Sequence, residues 1–195
     1  MENTLNYNEK SDIELVNLSL ENQENFIYLV NRYKEKLLRY IRRLTNIDPE
    51  ECEDILQEVF IKVYLNLNDF DKELKFSSWI YRITHNEVIS HFRKTKVRPQ
   101  GHKVAIDDDE VKFLADEINI TKEIDTNILR EQIETALVKL DLKYREVLTL
   151  KYFEEKNYKE ISDIIKKPMG TVATYIKRGK EELRDQLSRS LPPRF

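Results

Sequence analysis

Residues 157–178 read NYKEISDIIKKPMGTVATYIKR. Asn157 with Glu160 three positions later is a capping-box signature, so a helix starts there and turns Ile161, Ile164 and Ile165 to one side. Lys167, Pro168 and Met169 make a turn, because proline lacks an amide hydrogen and bars the residue before it from the α conformation. Gly170 opens a second helix with Val172, Ile176 and Leu183 as its inner side, leaving Thr171, Thr174, Lys177 and Arg178 outside. Two short helices joined by a tight turn, the second basic outside, form the helix-turn-helix arrangement that lays a recognition helix in a DNA major groove. Ordinary tri-helical cores share this outline, so the rest of the chain has to decide between the two uses.

Upstream of this unit the periodicity predicts a helix over residues 128–140 and another from Asp141, as cap, through Phe153. The amino-terminal half is also helical. Ser11 and Glu14 form a capping box for a first helix, and apolar residues at helical spacing from Phe26 to Ile41 mark a second over 25–44. Asp48, Pro49 and Glu51 read as N-cap, first-turn proline and capping-box acid of a third, over 49–67, with Ile55, Leu56, Val59, Phe60, Val63 and Leu67 inward. Its other face carries Asp54, Gln57, Glu58, Ile61 and Leu65. Acids followed by aliphatics on a side turned to water suit a docking surface, and scattered exposed apolar residues are the ordinary alternative. A fourth helix over 77–94 holds Trp79, Ile80, Tyr81, Ile83, Asn86, Ser90 and Phe92 and ends in Arg93 and Lys94. Aromatic faces beside cations are what unstacked bases need. Core packing accounts for Ile80, Ile83 and most of Trp79, and leaves Tyr81, Asn86 and the preceding loop's Phe70 open.

Composition agrees with helices throughout. Only 3 glycines and 5 prolines in 195 residues argue against a loop-rich or all-β architecture. The lone Cys52 cannot form an internal disulfide and reads as a packing residue, and neither end carries an apolar run suited to a signal peptide or membrane span, so a cytoplasmic location is expected. The net charge of -3 conceals an uneven distribution. Residues 89–103 and 166–180 contain bases and no acids, whereas acids outnumber bases over 97–127, where Pro99, Gly101 and weak periodicity suggest a tether. The fold class is therefore all-α, with two small helical domains, 1–96 and 128–195, joined by a flexible acidic linker, 97–127. Two basic surfaces on one chain point to two nucleic-acid contacts. Enzyme chemistry has no support: His85, His91 and His102 with Cys52 lack metal-ligand spacing, residues 107–110 lack the alternation of a calcium loop, and no glycine-rich phosphate loop occurs. No cofactor, metal or small-molecule substrate is expected.

The run from Asp54 to Phe60, then Phe70, Ser78 to Ile83, Asn86, Arg93 and Lys94, resembles the polymerase-binding and minus-10-melting region of extracytoplasmic-function (ECF) sigma factors. Leu140 to Val147, Tyr158 to Ile161 and Gly170 to Val172 resemble their minus-35 reader in order and spacing, so the likeness covers nearly the whole chain except the tether. The resemblance implies core RNA polymerase and promoter DNA as partners. It implies that Asp54, Gln57, Glu58 and Ile61 meet the polymerase clamp, that Phe70, Tyr81, Asn86 and Ser90 line a pocket for a flipped base, and that Arg93 and Lys94 lie beside it. It further implies that Lys151, Gly170, Thr171, Thr174, Lys177 and Arg178 meet the minus-35 duplex, that the acidic linker threads the polymerase channel, and that a membrane-anchored anti-sigma factor holds the protein inactive. Family members usually carry a base where this chain has Ala173, and often one at Tyr175. A missing long donor is expected to shift or weaken minus-35 preference by roughly 1 to 3 kcal/mol for each good base interaction it would have made. The rival expectation is a stand-alone helix-turn-helix regulator, which would bind duplex DNA tightly without polymerase and would need neither the acidic face nor the aromatic helix.

Overall fold

Ser11 and Glu14 bond reciprocally, the Ser11 amide donating to Glu14 Oε2 at 2.7 Å, and start α1 (Asp12–Glu21). The computed structural model describes residues 7, 9–45, 47–95, 106, 108–118 and 126–190, and no strand occurs among them. A short 3-10 turn leads into α2 (Phe26–Thr45), followed by α3 (Pro49–Leu65) and α4 (Phe76–Thr95). Proline occupies the first turn of α3 as expected, but Asp48 makes no capping hydrogen bond, so the predicted capping box is absent there. Leu29, Leu37, Ile41, Ile55, Val59, Val63 and Ile80 meet in one core.

The expected tether differs in its middle. Residues Asp108–Glu117 form α5, with Val111, Leu114, Ala115 and Ile118 buried, and Ile106 just before it is buried too. These four lie at i, i+3, i+4 and i+7, a helical stripe concealed by the acids around it. Helix α5 packs on α6 (Thr126–Lys139) and belongs to the second core. Residues 97–105 and 119–125 of the expected linker, His102 among them, lie outside the described residues, as does the tail 191–195.

Helix α7 (Leu142–Leu148) gives way to a π-helical turn, Thr149–Phe153, so the helix expected to run through Phe153 is broken. Asp141 makes no side-chain cap and instead accepts from Lys143 at 3.0 Å. Helix α8 (Tyr158–Ile165) carries the predicted box, Asn157 Oδ1 accepting from the Glu160 amide at 3.0 Å. Lys166, left-handed at φ 53°, closes it, and α9 (Met169–Ser190) follows. A Cβ at Gly179 would stand 3.3 Å from Leu148 and Tyr144, so this glycine sets the close approach of α9 to α7. Asn157→Ala removes one partner of the α8 box and is expected to cost about 1 kcal/mol of stability, read as a lower urea midpoint with an unchanged slope; an unshifted midpoint would mean the box contributes nothing.

The two cores are in contact. Helix α8 lies along α4, and α7 with the π-helical turn lies against α2.

Candidate nucleic-acid interface

Helix α9 separates its faces cleanly. Val172, Ile176, Gly179 and Leu183 are buried, while Gly170, Ala173, Thr174, Lys177 and Arg178 form an exposed strip one helical turn apart. Thr171 is half-buried at its edge. A Cβ at Gly170 would meet nothing within 4 Å. Its small size therefore serves no contact inside the fold and leaves the helix start open to something outside. Thr174 Oγ1 donates back to the Gly170 carbonyl at 2.8 Å, which steadies the threonine at the centre of the strip. Lys151 stands half-buried on the π-helical turn, its ammonium 5.6 Å from the Tyr158 ring centre. Tyr175 is half-buried edge-on against Tyr144, with centroids 5.8 Å apart, so it serves packing, whereas Ala173 occupies an exposed position with no donor.

On α3 the expected division holds. Asp54, Gln57 and Glu58 are exposed, and Ile61 and Leu65 continue the same face at 51% and 69% exposure. Tyr64, also exposed, sits edge-on to Phe26 at 5.3 Å. The result is an uninterrupted strip of acids running into aliphatics, with no described residue of this chain laid over it.

The four residues expected to share one base pocket do not come together, and the three on α4 fall on different sides of it. Asn86 and Ser90, one turn apart, line a recess of about 360 Å³ together with Asn66, Asp69, Trp79 and Arg82. Phe70 is buried beneath it, 5.2 Å from the Trp79 ring and 5.3 Å from Phe76, and so supports the floor rather than lining the wall. Tyr81 lies roughly on the opposite side of the helix from Ser90, because nine residues at 100° each make two and a half turns. Arg93 and Lys94 lie beyond the recess, and both are exposed. His91, on the same helix, approaches Glu51 at 3.1 Å, and the described residues contain no group of three ligands suited to a metal ion.

Tyr81 is instead buried under the second domain at 1% exposure. Its hydroxyl donates to Glu154, its ring meets Tyr40 at 5.2 Å, and the Lys156 ammonium stands 4.7 Å above its face. Tyr40 donates to Glu146 at 2.9 Å, and His85 is hydrogen-bonded to the same carboxylate oxygen. Arg43 forks onto Glu110 at 2.7 and 3.0 Å and reaches Glu154 at 3.4 Å. Burial, reinforced by the neighbouring carboxylates, pushes both phenols above their ordinary range, so they remain donors. Burial also raises Glu154 above the usual carboxylate value, against the pull of Tyr81 and Arg43, and lowers Lys156. No sequence signal marked this seam, because glutamate is ordinarily a surface residue and the partners of Glu146 and Glu154 lie far off in the chain.

The fold thus defines a two-part, all-helical protein whose second unit is a helix-turn-helix. The sequence matches the Sigma-70 region 2 family over residues 29–98 and the Sigma-70, region 4 family over residues 130–183. It is 37% identical to the ECF RNA polymerase sigma factor SigW of Bacillus subtilis over 85% of this chain and 90% of that protein. It is 33% identical to the RNA polymerase sigma-H factor of Pseudomonas aeruginosa over 81% of this chain and 83% of that one. Among solved structures, CnrH in complex with the cytosolic domain of CnrY shares the fold at a TM-score of 0.68 and 21% identity, covering 93% of this chain and all of that one. The sigma factor RpoE of Bartonella quintana, solved with the anti-sigma factor NepR, does so at 0.64 and 18% identity, over 85% and 98% of the two chains. The chain belongs to the ECF RNA polymerase sigma factors.

Proposed function

We propose that this chain joins core RNA polymerase through the exposed face of α3 and directs it to promoters, using α4 at the minus-10 element and α9 at the minus-35 element. The observation that carries the reading is the uncovered strip of Asp54, Gln57, Glu58 and Ile61, continued by Leu65, on a protein of this family. A polar rim beside exposed aliphatics is the composition of a docking surface. A free-standing DNA-binding regulator has no use for it.

The recess beside Asn86 and Ser90 takes an unpaired base, with Arg93 and Lys94 on the adjoining phosphates. Each base held there offsets part of the unpairing cost, on the order of 1 to 3 kcal/mol per stacked base, so binding alone drives strand opening. Lys177 and Arg178 hold duplex phosphate on either side of Thr174, with Lys151 flanking them and the Gly170–Thr171 helix start admitting the backbone closely. The protein contributes specificity and no bond-making chemistry, and it acts in the cytoplasm. No described helix is long and apolar enough to cross a membrane, in keeping with that placement. An anti-sigma factor, membrane-anchored, restrains it; of the two solved structures that share the fold, one holds the cytosolic domain of CnrY and the other the anti-sigma factor NepR.

Run-off transcription with purified core polymerase tests the reading. Addition of the protein is expected to create specific start sites, and their absence on every template from its own genome would refute it. Asp54→Ala with Gln57→Ala is expected to weaken polymerase association about tenfold with no change in melting temperature, since both side chains are exposed. Unaltered affinity in a co-migration titration would place the docking face elsewhere.

A further inference from the structure

The first two turns of α9 present an outer surface without a long hydrogen-bond donor. Met169, 56% exposed, and the exposed Ala173 stand one turn apart in a row that Lys177 continues, and Gly170 and Thr174 form the neighbouring row, ended by Arg178. Thr174 directs its hydroxyl proton to the Gly170 carbonyl at 2.8 Å, so it can accept from outside and cannot donate. Thr171, the other hydroxyl of these turns, is half-buried, and the Tyr175 ring packs on Tyr144. Within α9 the exposed cations begin only with Lys177, about two turns from Met169. This end of the helix therefore offers a ligand a thioether, a methyl group and the open backbone of Gly170, ahead of two positive charges.

We infer that α9 selects its duplex by apolar contact with thymine: Met169 and Ala173 take the C5-methyl groups of thymines in the major groove. That α9 lies in the minus-35 duplex rests on the function proposed above, and the base preference goes beyond it. In a helix-turn-helix the N-terminal residues of the second helix meet the base edges. Thymine alone among the four bases carries a methyl group on that edge, while guanine turns two acceptors to it, N7 and O6. Against Met169 and Ala173 a thymine methyl leaves water, which is worth about fourfold in affinity. Guanine acceptors in the same place lose their water and find no donor, a loss of about tenfold. The surface thus favours thymine and disfavours guanine with no base-directed donor at positions 169, 170, 173 or 174.

Deoxyuridine tests this, because it lacks only the C5-methyl group of thymidine and keeps every hydrogen-bonding group. A promoter found by run-off transcription with this protein and core polymerase is remade with single thymine-to-deoxyuridine changes on both strands of the minus-35 element. Affinity of the polymerase complex for each template is then measured by competition. A loss of about fourfold is expected at one or two positions. In Ala173→Gly or Met169→Gln the same change is expected to cost less than about twofold at the position that side chain serves, because the two changes remove one shared contact. Ala173→Arg supplies a bidentate donor and is expected to exchange thymine for guanine at its position in a selection from a randomised minus-35 library. Full affinity on every deoxyuridine template overturns the inference and leaves promoter binding intact. So does a loss that persists undiminished in both variants, since a methyl sensed through the shape of the duplex does not depend on these side chains. An unchanged thymine preference in Ala173→Arg also overturns the part given to Ala173. Absence of any specific start site instead refutes the underlying function, and the inference falls with it.

Discussion

Arg145→Ala is expected to destabilise the protein by about 3 to 5 kcal/mol, because it takes the donor away from four backbone carbonyls, which cost about 1 to 3 kcal/mol each where they stay buried and unmet. Arg145 is buried, and its guanidinium donates to the carbonyls of Leu137 at 3.0 Å, Leu140 at 3.2 Å and Val138, the last turn of α6, while also reaching Leu44. A helix leaves its last carbonyls without partners, and each one stranded in the interior costs about 1 to 3 kcal/mol. Burial lowers the pKa of Arg145 to about 10, still far above neutrality, so the side chain stays charged while closing the end of α6. Against a typical total of roughly 5 to 15 kcal/mol, a loss of this size is severe. Urea unfolding of the full-length chain measures it, and Arg145→Lys should recover only part, because a lysine reaches fewer carbonyls at once. A midpoint within error of wild type would show that water replaces the guanidinium without penalty.

Lys177→Ala with Arg178→Ala is the second large effect, and it falls on DNA rather than on the fold. Both side chains are exposed, so stability should hold while promoter affinity of the polymerase complex drops between about tenfold and a hundredfold. Each neutralised phosphate releases counterions, so the dependence of log affinity on log salt should flatten by about 0.9 per phosphate held, close to 2 for the pair. The salt slope separates this from a merely altered sequence preference, which would lower affinity and leave the slope intact. If affinity and slope both survive, α9 meets the duplex with another face.

These two arginines show how unequally the sequence displays its own roles. Arg178 could be assigned from the chain alone, because a base on the outer side of a helix, two positions beyond the inward Ile176, has nowhere to go but solvent. Arg145 looks the same in sequence and is buried, since its partners are carbonyls of α6 and α2 that no side-chain pattern announces.

The α5 stripe was legible and obscured. Val111, Leu114, Ala115 and Ile118 have helical spacing, but the surrounding acids made the segment look like solvent-loving tether, and composition outweighed period. Conversely, the capping boxes at Ser11 and Asn157 were readable outright, because a box needs only two side chains three residues apart. Asp48 and Asp141 had the right residue type without a bonded box. Type alone does not decide a cap when the approach of the chain sets where the oxygen points.

Local rules thus determined, from sequence by itself, the helices, the helix-turn-helix, the outward strip of α9 and the two-sided character of α3, for each depends on neighbours within a turn or two. Only the tertiary structure decided that Phe70 lies beneath the recess, that Asn86 and Ser90 share it without Tyr81, and that Tyr81 is closed under Glu154. Those outcomes depend on how helices distant in the chain lie against one another. A helical period says which residues share a face and is silent on what that face will meet.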